Sequence, residues 1–431
     1  MTVATDHARQ THSQVTPQDA TRYESRFAAR AKKSTPSAMR DLMSLAERPE
    51  IISLAGGFPD TASFPAEVFA EVMRTVERDH LASALQYGPT EGLRDLREKI
   101  VEIMAHERAT ATVDEVMVTS GGQQGIELSI ATFVDPGDVV LCEGPTYPGA
   151  VPPLTRYEAD VVHIPMDDDG MRVDLVEPEL DKLARDGKRV KLLYTIPNFQ
   201  NPAGVTMSGE RRERLVRIAH ERGLMIVEDN PYGQIRFDGD PLPSLYELDE
   251  GRGWVIYVST FSKILAPGLR VGWVAAPPQV LRKLNLGKQS EDLCSGTMNQ
   301  RFVLEYLRRY DWRDHVARVN EIYRQRRDTM LAALEEELPK LDSISWTRPR
   351  GGLFVWATLP SYIDTKDLLA RAIQENVAFV PGGAAFLDGS GTNSMRLNYS
   401  AMPPELISEG IARLGAVIRE QAAIFEGLGG I

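Results

Sequence analysis

The sequence predicts an α/β fold built around a largely parallel sheet with helices on both faces. Three observations carry this reading. Short β-rich runs alternate with helical stretches between about Pro65 and Pro278, as chains do when each strand returns through a covering helix. The alternation then gives way to long helical patterns from Val280 to about Leu338. A mixed α+β segment closes the chain.

Taken in order, Met1 to roughly Ala20 is rich in Thr, Ala, Gln and Asp without periodicity, and is expected to be a loose arm. From Ser37, the spacing of Met39, Leu42, Met43 and Leu45 predicts a short amphipathic helix that ends before Pro49. Seven strands follow, over Val116 to Thr119, Val139 to Cys142, Val161 to Ile164, Leu192 to Thr195, Met225 to Val227, Val255 to Val258 and Val271 to Ala275. The last segment holds Gly351 to Trp356, a helix from Thr365, the short strand Ala378 to Val380, the strand Met395 to Asn398 and a helix from Pro404. No internal repeat and no long linker interrupts this series.

Composition narrows the function. With 431 residues, 42% apolar and 26% charged, the chain can bury a large core and form two domains. A formal net charge of −12 argues against nucleic acid or an anionic membrane as the partner, because both require a basic face. Two cysteines, Cys142 and Cys294, make neither a disulfide framework nor a metal pattern, and no run is long and apolar enough to span a bilayer. The expectation is a cytoplasmic enzyme without a metal, and Cys142, inside an apolar run, is expected in the core.

Active sites of such sheets lie beyond the strand C-termini, and the chemistry-bearing residues cluster there. Past Val255 to Val258 comes Thr260-Phe261-Ser262-Lys263, with Arg270 seven residues further on. An amine flanked by two hydroxyls and a planar cation is equipped to hold a phosphorylated aldehyde covalently, and that aldehyde would be pyridoxal phosphate. Past Met225 to Val227 stands Asp229, an acid suited to a protonated ring nitrogen. Asn201 and the phenol of Tyr232 can both reach a ring oxygen. Past Val116 to Thr119, Ser120-Gly121-Gly122-Gln123 opens a helix, so the backbone N–H groups of Gly122 and Gln123 are candidates for the phosphate. Tyr147 follows another strand and can stack on a flat ring. Each admits a plainer reading: a solvated loop lysine, an N-capping aspartate, a glycine-rich turn, a core tyrosine. The chain also has to turn sharply at Asn201-Pro202, which predicts a cis peptide there.

These segments, together with Ile52 to Pro59, Gln86 to Gly92 and Ser394 to Ser400, occur in one order that resembles the class I aminotransferases of pyridoxal-phosphate fold type I, in the branch holding 2-aminoadipate and kynurenine aminotransferases. The resemblance implies a mainly parallel seven-stranded sheet in a large cofactor-binding domain, 65–315. A flexible arm, 1–36, would precede a smaller α+β domain formed by 37–64 and 316–431. It further implies that Arg396 pairs with the substrate α-carboxylate, that Gly57 lets the backbone approach the substrate, and that Tyr87 reaches the phosphate of a neighbouring subunit in a homodimer. Arg40 matches a mobile arginine that meets a distal substrate carboxylate, and Phe58, Phe354 and Phe386 would wall the side-chain pocket. Phe58 stands where relatives often carry leucine, which leaves acidic, aromatic and branched substrates open.

The activity implied is transfer of an amino group between an L-amino acid and a 2-oxo acid in a ping-pong cycle, with 2-oxoglutarate as the second substrate and Lys263 moving the Cα proton. Two other classes stand as alternatives. A transcription regulator of this branch would need an N-terminal winged helix of about sixty basic residues, and the residues before the first motif show no recognition helix. The other is a different fold type I reaction, such as a β-lyase, decarboxylase or acyl-transferring synthase: Arg396 argues for an amino acid substrate but does not choose among the bonds broken.

Overall fold

A computed structural model describes residues 23–33, 48–341 and 343–427. The expected helix after Ser37, and Arg40 with it, lie outside the described residues, as does most of the arm. Strand β1 (Ile52–Ser53) precedes the large sheet. That sheet contains β2 (Val116–Thr119), β3 (Val139–Gly144), β4 (Asp160–Asp167), β5 (Gly170–Met171), β6 (Val190–Thr195), β7 (Met225–Asp229), β8 (Val255–Thr260) and β9 (Gly272–Ala275). Their spatial order is β2-β9-β8-β7-β6-β3-β4-β5. All seven expected strands are present. The sheet has an eighth, β5, a two-residue antiparallel edge paired to β4 through Met166↔Met171.

The pairs β4–β3, β3–β6, β6–β7 and β7–β8 are parallel, while β9 runs antiparallel to both β8 and β2. Alternate residues of a strand point to opposite faces, and both faces here are covered. Val140 and Cys142 enter one buried cluster with Tyr194 and Val258; Val139 and Leu141 enter the other with Leu193 and Ile226. Cys142 is fully buried, and that burial pushes its thiol pKa up.

The long helical patterns expected from Val280 to about Leu338 are three helices, Pro278–Glu291, Thr297–Arg309 and Trp312–Glu337. A second sheet contains β10 (Ser345–Trp346), β11 (Phe354–Thr358), β13 (Val380–Pro381) and β14 (Ser394–Asn398), in the order β10-β11-β14-β13. The expected strand Ala378 to Val380 is split: β12 (Val377–Ala378) pairs in parallel with β1, whereas β13 joins β14. The pairing Ile52↔Val377 ties the N-terminal part of the chain to its C-terminal part. Among the described residues, no helix is long and apolar enough to cross a membrane.

Candidate active site

The C-terminal ends of β3, β6, β7 and β8 open onto a cleft of about 300 Å³. Lys263 lies just past β8, where its Nζ donates to the carbonyl of Gly57 at 2.7 Å. Burial, reinforced by the charges of Arg396 and Arg270, lowers the amine to about 8 against the pull of Asp229. Asp229 ends β7 and is buried, which pushes its carboxyl up to about 7; a hydrogen bond from Tyr194 and the Lys263 charge act the other way. Tyr194 donates to Oδ2 of Asp229 at 2.7 Å.

Arg396 projects from β14 with 3% exposure. Nη1 donates to Oδ1 of Asn201 at 3.0 Å and Nη2 to the carbonyl of Ala55 at 2.8 Å. Its guanidinium lies 4.3 Å from the ring centre of Phe354. Asn201 in turn donates through Nδ2 to the Tyr232 hydroxyl at 3.1 Å, so one amide joins the arginine to the phenol. The peptide Asn201–Pro202 is cis, as expected, and Gly144–Pro145 is cis as well.

At the other end of the cleft, the helix Gly122–Phe133 presents its N-terminus beside Thr260, Ser262 and Arg270. The hydroxyls of Thr260 and Ser262 lie 2.8 Å apart. Gly121 has φ +81°, and a Cβ on it would collide with the Arg270 guanidinium. Gly272 likewise lets β9 pass against the backbone of Gly121 and Gly122. Glycine at both positions lets the turn and the cation come together. The side-chain amide of Gln123 donates to the carbonyl of Gly149 at 2.7 Å, so what Gln123 can offer an anion is its backbone N–H.

The cleft thus brings together Gly57, Phe58, Gly122, Gln123, Tyr147, Asn201, Asp229, Tyr232, Thr260, Ser262, Lys263, Arg270 and Arg396. Three expected residues stand elsewhere. Phe354 is fully buried behind Arg396 and does not line the cleft. Phe386 packs on His163 with ring centres 5.3 Å apart, because His163 accepts the Leu387 N–H and draws that loop over β4. Tyr87 lies outside the cleft and is 78% exposed. The sequence reading misses Tyr194, which as the penultimate residue of an apolar strand looks like ordinary core.

The donor set fits a phosphorylated pyridoxal: N–H groups, hydroxyls and an arginine at one end, an amine between, a buried acid at the other, and the Tyr147 ring on the wall. The profile of the family "Aminotransferase class I and II" matches residues 49–414. The chain belongs to this family. It is a transaminase, and its cofactor is pyridoxal 5′-phosphate. Aromatic-amino-acid aminotransferase 1 of Thermococcus litoralis is 47% identical over 401 residues, 93% of this chain and 95% of that protein. The crystal structure of Pyrococcus horikoshii kynurenine aminotransferase with PMP, KYN and KYA superposes with a TM-score of 0.88 at 42% identity, covering 92% of this chain and 98% of that one. The structure of LysN, the alpha-aminoadipate aminotransferase of Thermus thermophilus complexed with N-(5′-phosphopyridoxyl)-L-leucine, gives a TM-score of 0.86 at 38% identity, covering 93% and 99%.

Proposed function

We propose that this transaminase moves the amino group of an L-amino acid of the 2-aminoadipate, aromatic or branched-chain type to a 2-oxo acid, 2-oxoglutarate, in a ping-pong cycle in the cytoplasm. The observation that carries the reading is the convergence of Lys263, Asp229 and Arg396 on one cleft, with the lysine lowered to about 8 and the acid raised to about 7. The names of the relatives support the range of substrates.

Lys263 would hold the cofactor through its amine, Asp229 would face the ring nitrogen, and Asn201 and Tyr232 the ring oxygen. Tyr147 would stack on the ring, while Gly122, Gln123, Thr260, Ser262 and Arg270 would hold the phosphate. The bound cofactor supplies an electron sink for the pair left at the substrate Cα. An amine near pKa 8 is neutral in a useful fraction at physiological pH, so Lys263 can take the Cα proton and return it on the far side of the transfer. Arg396 would grip the α-carboxylate through its planar fork, oriented by Asn201 and the face of Phe354. Gly57 carries no side chain where the substrate would pass. Phe58, 47% exposed at the mouth, offers an apolar surface to larger side chains.

The division into a large unit, 65–315, and a small one, 37–64 with 316–431, belongs to this reading and is supported by the β1–β12 pairing. The exposure of Tyr87 supports a homodimer in which it reaches the partner's phosphate. The test is a panel of single half-reactions: cofactor-loaded enzyme mixed with the twenty common amino acids, 2-aminoadipate and kynurenine, following the cofactor absorbance and the 2-oxo acid formed. Ammonia released beside the 2-oxo acid, with the cofactor returned to its aldehyde form, would replace transamination with a lyase, and release of carbon dioxide would replace it with a decarboxylase.

A further inference from the structure

We propose that Lys288 and Asp292 are positioning residues for the phosphate end of the cleft, acting through the backbone and side chain of Ser120. The inference rests on the reading of that end as a phosphate cup. Lys288 lies near the C-terminus of the helix Pro278–Glu291, where a cation already benefits from the helix dipole while solvated. Its side chain is instead fully covered. A lysine amine taken out of water is unfavourable unless its charge and its donors are met. Here they are met by Asp292, with both carboxylate oxygens at 2.8 Å, by Gln124 Oε1 at 2.9 Å and by the Ser295 hydroxyl at 3.0 Å.

The cluster closes on the turn that opens the helix Gly122–Phe133. Ser120 is held at three atoms. Its N–H donates to Gln124 Oε1 at 2.8 Å, its hydroxyl donates to Asp292 Oδ2 at 2.9 Å, and its carbonyl accepts from Arg270 Nη2 at 3.2 Å. The Gln124 amide can stand only one way round, because Oε1 meets two donors while Nε2 donates to Glu291 and Asp292 at 2.9 and 2.8 Å. Burial acts to raise the Asp292 pKa, yet the bonds from Lys288, Gln124 and Ser120 hold it below its usual range, so the acceptor at the centre of the cluster is a carboxylate. The contact chain Lys288–Asp292–Ser120–Arg270 therefore sets where the arginine fork stands over Gly121. A pair that only docked one helix on another would not need to grip the turn itself.

The test compares two probes on the full-length chain stripped of cofactor: pyridoxal 5′-phosphate, and pyridoxal, which lacks the phosphate. Lys288→Met should raise the dissociation constant for the phosphorylated probe about tenfold and leave that for pyridoxal within about twofold. Should that variant fail to fold, Ser120→Ala removes the hydroxyl contacts to Asp292 and Ser295 and should raise the first constant about threefold with no change in the second. An equal change for both probes, or no change in either, overturns the proposal. If the unaltered chain binds both probes alike, the cup itself has been misread, which is a different failure.

Discussion

Tyr194 donates its phenolic proton to Asp229 from the adjacent parallel strand, at 2.7 Å. Burial drives the Asp229 carboxyl towards protonation, and this bond opposes it. Tyr194→Phe removes a stabiliser of the carboxylate, so Asp229 should keep its proton to higher pH. Pairing with a protonated ring nitrogen requires the carboxylate. The acid limb of cofactor affinity against pH should therefore move upward in the variant, and superimposable profiles would separate Asp229 from the ring nitrogen.

Lys263→Ala should abolish turnover while leaving the fold intact. Borohydride treatment of the loaded, unaltered enzyme should fix the cofactor to the peptide containing Lys263. Mass mapping that finds the label on another lysine would transfer the role elsewhere.

Arg396→Ala should lower kcat/KM for amino acids by about ten- to a hundredfold, the worth of one charge-assisted bidentate contact. Arg396→Lys keeps the charge and loses the fork, so it should fall between. A simple amine lacking the carboxylate should react equally slowly with all three proteins. A matching loss on that amine would show that Arg396 acts on packing around Phe354 instead.

Glu107 gives a pH dependence away from the chemistry. It is buried, accepts from the Tyr257 hydroxyl at 2.8 Å and from Asn230, and burial lifts its carboxyl from 4.5 to about 7. The folded chain thus holds a proton between those values that the unfolded chain releases, and the associated stability is lost as pH rises through about 7. Glu107→Gln is neutral throughout. Relative to the unaltered protein, it should gain stability between about pH 5 and about pH 8, on the order of a few kcal/mol at most. Urea unfolding at both values measures this, and a constant difference would show that Glu107 does not titrate with folding.

The residues legible in the sequence are those at strand ends with a neighbour that also carries chemistry. Lys263 comes with two hydroxyls and an arginine, and Asp229 comes at the close of an apolar run. Tyr194 is not legible, because a tyrosine inside a strand is ordinary core until the next strand shows what it faces. Lys288 is hidden for the opposite reason: a charged residue on an amphipathic helix reads as solvated, and only the turn at Ser120 shows it to be enclosed. Phe386, expected on the pocket wall, stands elsewhere because its position is decided by His163, remote in the chain. The strand β5 is two residues long and leaves no periodicity to read.

Strands β8 and β9 run antiparallel, with Thr260 opposite Gly272 and the Phe261 N–H bonded to the Val271 carbonyl at 3.0 Å. Lys263 and Arg270 consequently stand on one backbone ring whose two feet are joined. Their backbone anchors keep a set separation, since neither belongs to an element that can drift away from the other. With the cofactor spanning the two as proposed, it is sorted by its length as well as by its charge. A cofactor homologue with one more carbon between ring and phosphate should then bind more weakly, and a residue inserted into the ring should shift the preference towards the longer molecule.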